Sequence, residues 1–129
     1  MAVATKGITA KQLEALCGRW PGVTMDVKWG ADLVFSVGTK MFAVMPMDGG
    51  HIAFKVPDDR FLELTDQPGI IAAPYLARAR WVSVVEPRRF STHELSDHVR
   101  TAYGLIRAKL TKKHQAELGE WPLPEDNTK

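Results

Sequence analysis

Apolar and polar positions alternate along this chain with two clearly different periods. Leu13, Leu16, Cys17 and Trp20 recur at the i, i+3, i+4, i+7 spacing of one buried helical stripe. Thr9 and Gln12 have the spacing of a capping box, and Ile8 and Leu13 that of a hydrophobic staple. Pro21-Gly22 is a stop signal. The period then changes. Val23, Met25, Val27 and Trp29 alternate with Thr24, Asp26 and Lys28, which predicts a strand with one buried face. Leu33–Val37 and Lys40–Met45 read as two further strands, and the two-residue loop Gly38-Thr39 suits a type II′ hairpin. After Asp48-Gly49-Gly50, the residues Ile52, Phe54 and Val56 alternate with Ala53 and Lys55 as a fourth strand. Links this short require antiparallel neighbours.

The second half returns to helical spacing. Pro57-Asp58-Asp59 opens a short helix whose Phe61, Leu62 and Leu64 are expected to face the core. Gln67-Pro68-Gly69 ends it. Residues 70–79 read as a loop with one helical turn near Tyr75-Leu76, because Pro74 argues against a central strand. Trp81–Val85 is the fifth strand. Ser91 and Glu94 cap a long last helix, with Leu95, Val99, Ala102, Ile106 and Leu110 as its buried stripe. Arg100, Arg107, Lys109, Lys112 and Lys113 lie off that stripe, where the last two would complement the C-terminal end of the helix dipole. The fold class is therefore α+β: an antiparallel sheet of about five strands flanked by an N-terminal helix, a short middle helix and a long C-terminal helix. Residues 1–118 form one domain, and 119–129 read as a flexible acidic tail whose start Trp121 can pin.

Composition changes this picture little. The 129 residues are 45% apolar and 25% charged, values typical of a soluble globular domain, and no apolar run approaches the length of a membrane span. The first seven residues carry no apolar signal segment, and Cys17 is the single cysteine. A cytoplasmic protein is the expectation. Charge is informative in its distribution. The net charge is only +2, yet residues 78–113 carry nine basic and three acidic groups. A solvated helix face explains much of that excess, and an acidic partner such as a nucleic-acid backbone would also meet it.

The order of elements also resembles a known family. A helix, Pro21-Gly22 and a strand ending in Trp29 are followed by the hairpin Leu33–Val37 and Lys40–Met45. Phe54-Lys55-Val56, a short helix, Ala73-Pro74-Tyr75-Leu76 and Trp81-Val82 come next. Over roughly residues 9–115 this is similar to the MmcQ/YjbR family of small bacterial proteins. The resemblance implies a CyaY-like (frataxin-like) arrangement of sheet and helices. It also implies DNA binding, a label the family carries through a double-wing comparison of folds, and a fold does not establish a function. It supplies no catalytic residues to carry over.

Catalytic chemistry is not expected, and no cofactor is implied. Cys17 falls on the buried helical stripe, where a thiol is inert. Among His51, His93, His98 and His114, no pair has metal-binding helical spacing, and Glu94 with His98 makes at most two ligands, so no metal site is expected. Asp58-Asp59 is explained by the helix start it occupies. Iron handling, which a frataxin-like fold raises, would want an acidic row on the first helix, and only Glu14 is there. Gly49-Gly50 lacks the pattern of a phosphate loop.

Two binding sites follow as expectations. For nucleic acid, Arg78, Arg80, Arg88 and Arg89 bracket the fifth strand, with Lys40 and Lys55 on strands beside it. The alternative is a cleft for a small molecule or protein partner near Trp29, His51 and Tyr75. The competing reading of Trp29 and Tyr75 is that they fill the core.

Overall fold

The computed structural model describes residues 6–121. Helix α1 spans Ala10–Cys17. Strands β1 (Val23–Lys28), β2 (Asp32–Val37), β3 (Lys40–Pro46) and β4 (Ile52–Lys55) follow. A 3-10 turn and helix α2 (Phe61–Thr65) lead to β5 (Ile70–Ala72), a second 3-10 turn at Ala77–Ala79, and β6 (Trp81–Val84). A third 3-10 turn precedes α3 (Thr92–Arg107) and α4 (Lys112–Leu118). All strands join one antiparallel sheet in the order β1-β2-β3-β4-β6-β5. No helix among the described residues is long and apolar enough to cross a membrane.

The expected α+β class and antiparallel sheet are present, and the helix starts predicted at Thr9 and Ser91 are capped. The Thr9 hydroxyl accepts from the Gln12 amide at 3.0 Å while the Gln12 side chain accepts from the Thr9 amide at 2.8 Å. At Ser91 the hydroxyl accepts from the Glu94 amide at 3.0 Å, a simple N-cap rather than the reciprocal box its spacing suggests. Between these helices and one face of the sheet lies the core. Leu13, Cys17, Phe35, Phe42, Phe54, Val82, Leu95, Val99 and Tyr103 are all buried in one cluster. A large apolar side chain buried this fully contributes about 1.5–3 kcal/mol. A register shift between Phe35 and Ser36 pairs these residues with Ala43 and Met41. Phe42 is thus the extra residue of a bulge, and its ring turns into the core against Trp20 and Tyr103.

Several local expectations are corrected. The sheet has six strands because Ile70–Ala72 pairs outside β6, a segment too short between Gly69 and Pro74 to show its period. The predicted helical turn lies at Ala77–Ala79 rather than at Tyr75-Leu76. Helix α1 ends at Cys17, so Trp20 reaches the core from the following turn. β1 forms where read, but as an edge strand it buries neither face, and Met25 and Val27 stay 38% and 53% exposed. Leu62 is 79% exposed, whereas Leu64 is buried and Phe61 half-buried.

The single long last helix divides in two. α3 stops at Arg107, Leu110 is buried in the connecting turn, and the Thr111 hydroxyl caps α4 by accepting from the His114 amide at 3.1 Å. Lys112 and Lys113 therefore open a helix instead of closing one, against its dipole. Arg107, expected on the outside, is buried. It donates to the Tyr103 hydroxyl at 3.1 Å and to the carbonyls of Gln115 and Gly119. Trp121 does pin the start of the C-terminal segment, with its ring 4.5 Å from that of Tyr103 and beneath the Arg100 guanidinium. The rest of the expected acidic tail lies outside the described residues.

The β2–β3 turn is type I′, not II′, since both Gly38 and Thr39 have positive φ, of 58° and 69°. Left-handed backbone is unfavourable for a β-branched residue, so Thr39→Gly is expected to stabilise the protein by about 0.5–1 kcal/mol. Gly38→Ala should destabilise it by more than about 1 kcal/mol, because an added Cβ would lie 2.7 Å from Leu110 as well as at positive φ. Urea unfolding of both variants checks the pair of signs.

His98 stacks on Phe54, with ring centroids 5.4 Å apart. Burial lowers its pKa, Arg60 lowers it further, and Glu94 and Asp97 oppose the shift. A histidine whose folded pKa lies below the unfolded value of about 6.5 is protonated first in the unfolded chain as pH falls. Stability is therefore lost as pH drops through the unfolded pKa, and the loss levels off below the folded one. In thermal melts between about pH 7.5 and pH 5, His98→Gln should lose less stability than the parent protein.

Candidate nucleic-acid interface

The strand register fixes which end of the sheet each basic residue occupies. Lys55 faces Trp81 across β4 and β6, and Ala43 faces Phe54 across β3 and β4. Lys40, which opens β3, therefore lies at the end where β4 runs out at Lys55 and where Arg80 leads into β6. Two strand spacings separate Lys40 from Arg80, about 10 Å. Arg78 sits on the 3-10 turn at this end. The junction of α3 and α4 comes down to the same place. The Leu110 and His114 side chains approach Gly38 so closely that a Cβ there would meet both below 3 Å. Lys109, Lys112 and Lys113 are thereby brought to the Lys40 end, and all three are exposed. By sequence spacing alone these lysines lie off the buried stripe of one long helix. The Thr111 cap, which breaks that helix, was the signal that could have relocated them.

A cleft of about 330 Å³ opens here, lined by Lys55, Pro57, Asp58, Asp59, Leu105 and Lys109 among others. Arg80 lies 3.9 Å from Asp58 and 5.3 Å above the centre of the Phe61 ring. An ion pair that long, with both partners in solvent, contributes little and leaves the guanidinium able to meet another anion. Lys55 behaves differently from its neighbours. It is only 7% exposed, and its ammonium donates to the Ala79 carbonyl at 2.6 Å. Burial lowers its pKa and Lys109 adds to that, while Asp58 raises it and Arg80 lowers it. Expected as a phosphate contact, Lys55 instead anchors the loop between β5 and β6 from inside.

The other two nominated arginines are elsewhere. Arg88 and Arg89 follow β6, so the whole of Trp81–Val84 separates them from Arg80, at least about 13 Å of strand. Arg89 pairs with Glu86, and the Arg88 stem packs on Gly7 beside a smaller cleft that also includes Lys6 and Pro87. The six basic candidates thus divide into Lys40, Arg78 and Arg80 exposed at one end, Lys55 buried there, and Arg88 and Arg89 at the opposite end.

The alternative trio is not assembled either. Trp29 sits at the tip of the β1–β2 hairpin and His51 precedes β4, on strands three places apart, while Tyr75 lies at the Lys40 end. Trp29 is 67% exposed and Tyr75 wholly so, which also overturns their use as core residues. Both have positive φ, in turns that hold their side chains away from the sheet. The roomier concavity lies beneath α4 instead. It measures about 560 Å³ and is lined by Thr24, Asp26, Ser36, Thr39, His114 and Leu118 among others. Without α4 in the sequence reading, nothing pointed to it.

Cys17 is buried, and desolvation pushes its thiol well above the ordinary range. Among the described residues, no group of three or more His, Cys, Asp or Glu side chains could hold a metal ion.

Comparison with known proteins adds three findings. The YjbR family model matches residues 18–105. The crystal structure of Deinococcus radiodurans protein DR2400, which carries the DUF419 domain, is similar at a TM-score of 0.80 and 26% identity, covering 91% of this chain and 92% of that one. A protein from Pseudomonas syringae shares the fold at a TM-score of 0.63 and 18% identity, with 77% and 99% covered. No curated protein matches the sequence.

If Lys55 is an internal anchor, Lys55→Met strands the Ala79 carbonyl. The variant should be about 1–3 kcal/mol less stable in urea unfolding. Amide hydrogen exchange should quicken across residues 73–80 more than in α3.

Proposed function

The chain belongs to the YjbR family, and from that premise we propose that it is a non-catalytic cytoplasmic domain that binds DNA weakly and without sequence preference, through phosphate contacts at the Lys40 end of its sheet. One observation carries the reading. Lys40, Arg78, Arg80, Lys109, Lys112 and Lys113 are all exposed at this end, with Asp58 and Asp59 as the acidic groups among them. Cations gathered on one surface neutralise phosphates and release their counterions, which needs no base contact. The whole-chain charge of +2 keeps the attraction modest. Arg88 and Arg89 are not part of this surface: they follow β6 at the opposite end of the sheet, where Arg89 pairs with Glu86.

The cleft beneath α4 supports a second reading. Its walls combine Asp26, His114 and three hydroxyl side chains with Leu118, a lining that suits a small polar molecule. Such a ligand would raise the melting temperature with little dependence on salt.

Fluorescence anisotropy with random-sequence duplex DNA tests the first reading. Contact with four phosphates gives a slope of about −3.6 in log affinity against log salt, a loss on the order of 100-fold between about 50 and 200 mM. Combined Lys109→Glu, Lys112→Glu and Lys113→Glu should abolish binding, whereas Arg88→Glu with Arg89→Glu should leave it intact. Equal losses in both variants, or no binding at low salt, would reject the interface.

A further inference from the structure

Tyr75 stands out among the residues of the Lys40 end. Its side chain is as exposed as in an extended peptide, in a protein whose other tyrosine, Tyr103, is fully buried. Its backbone is left-handed, with φ of 67°, and Arg80 five residues later has φ of 61°. Neither residue is glycine, and each such position costs about 1–2 kcal/mol. The loop holds both in place by its own hydrogen bonds. The Ala73 amide donates to the Trp81 carbonyl at 3.0 Å, the Leu76 amide to Ala73 at 3.1 Å, and the Trp81 amide to Leu76 at 3.2 Å. Lys55 ties the loop down again from beneath through Ala79. The result is a fixed, strained loop that carries an uncovered aromatic ring and, a few residues on, the exposed Arg78 and Arg80. Backbone strain retained on a well-anchored loop points to use of the side chain it displays.

We propose that the Lys40 end binds single-stranded nucleic acid in preference to duplex, with one base stacked on the Tyr75 ring while Arg78, Arg80 and the neighbouring lysines hold the phosphates. This rests on the preceding reading of the same surface and names its substrate. In a duplex the base faces are already stacked on one another, so a protruding ring finds only edges and backbone. A single strand can splay a base onto the ring, and every base offers a π-face, so the contact carries little sequence preference. The ring stands free on a loop, not within a groove, and so admits a base from outside without any rearrangement of the fold.

The test compares short oligo-dT, oligo-U and a mixed-sequence duplex by anisotropy at low salt, with the full chain and its variants. Oligo-dT or oligo-U should bind more tightly than duplex, and whichever is tighter identifies the natural strand. Tyr75→Ala should weaken single-strand binding by about 5- to 100-fold, and Tyr75→Trp should retain it. Duplex affinity should change less than twofold in either variant. Because Tyr75 touches solvent alone, an unchanged circular dichroism melt is the accompanying control. A ratio of single-strand to duplex affinity that Tyr75→Ala leaves unchanged overturns stacking but preserves phosphate binding. Absence of binding to every probe overturns both readings.

Discussion

Tyr103 fastens the separate pieces of this domain to one another. Its ring lies between Trp20 from the turn after α1, Phe42 from the bulge of β3, and Trp121 from beyond α4. A buried phenol must also place its hydroxyl, and here the hydroxyl donates to the Pro21 carbonyl at 2.5 Å while accepting from Arg107. Burial raises the tyrosine pKa, and the Arg107 hydrogen bond and charge act against that rise. The guanidinium of Arg107 in turn binds two carbonyls of the α4 segment. One side chain thus joins the turn after α1, the bulge of β3 and the segment that follows α4. The position of α4 fixes Lys112 and Lys113, and with them the charge of the Lys40 end.

Much of the fold was legible because the governing interactions are local. A capping box needs only residues three apart, and a helix stripe or a strand alternation needs only a repeated spacing. Thr9 with Gln12, Ser91 with Glu94, and the runs through β2, β3, β4 and β6 were readable for that reason. The misreadings arose where a distant partner decides. β5 is a strand because β6 offers it an edge, and its three residues carry no period. Met25 and Val27 alternate like a buried face, but β1 lies at the sheet edge and leaves them exposed. Arg107 reads as a surface residue until Tyr103 and the α4 carbonyls surround it.

The candidate site was less legible than the fold. Sequence proximity grouped Arg78 and Arg80 with Arg88 and Arg89, yet a strand separates its two ends by its own length. The same proximity kept Lys109, Lys112 and Lys113 away from Lys40, although the turn at Leu110 brings them to it. Lys55 was misjudged because position on a strand says nothing about what waits beneath the side chain. Similarity to the Deinococcus protein supports the scaffold and leaves these surface charges to be argued from this chain alone.

The outer rim of β1 has a bearing on how the protein behaves in concentrated solution. A free strand with Met25 and Val27 along one side is a ready template for another molecule's backbone. Asp26 and Lys28, interleaved with them, work against that hazard. Docking a neighbour there would strip both charges of water unless each found an opposite partner. The two residues therefore act as gatekeepers, and colloidal stability should be most sensitive to neutralising them together.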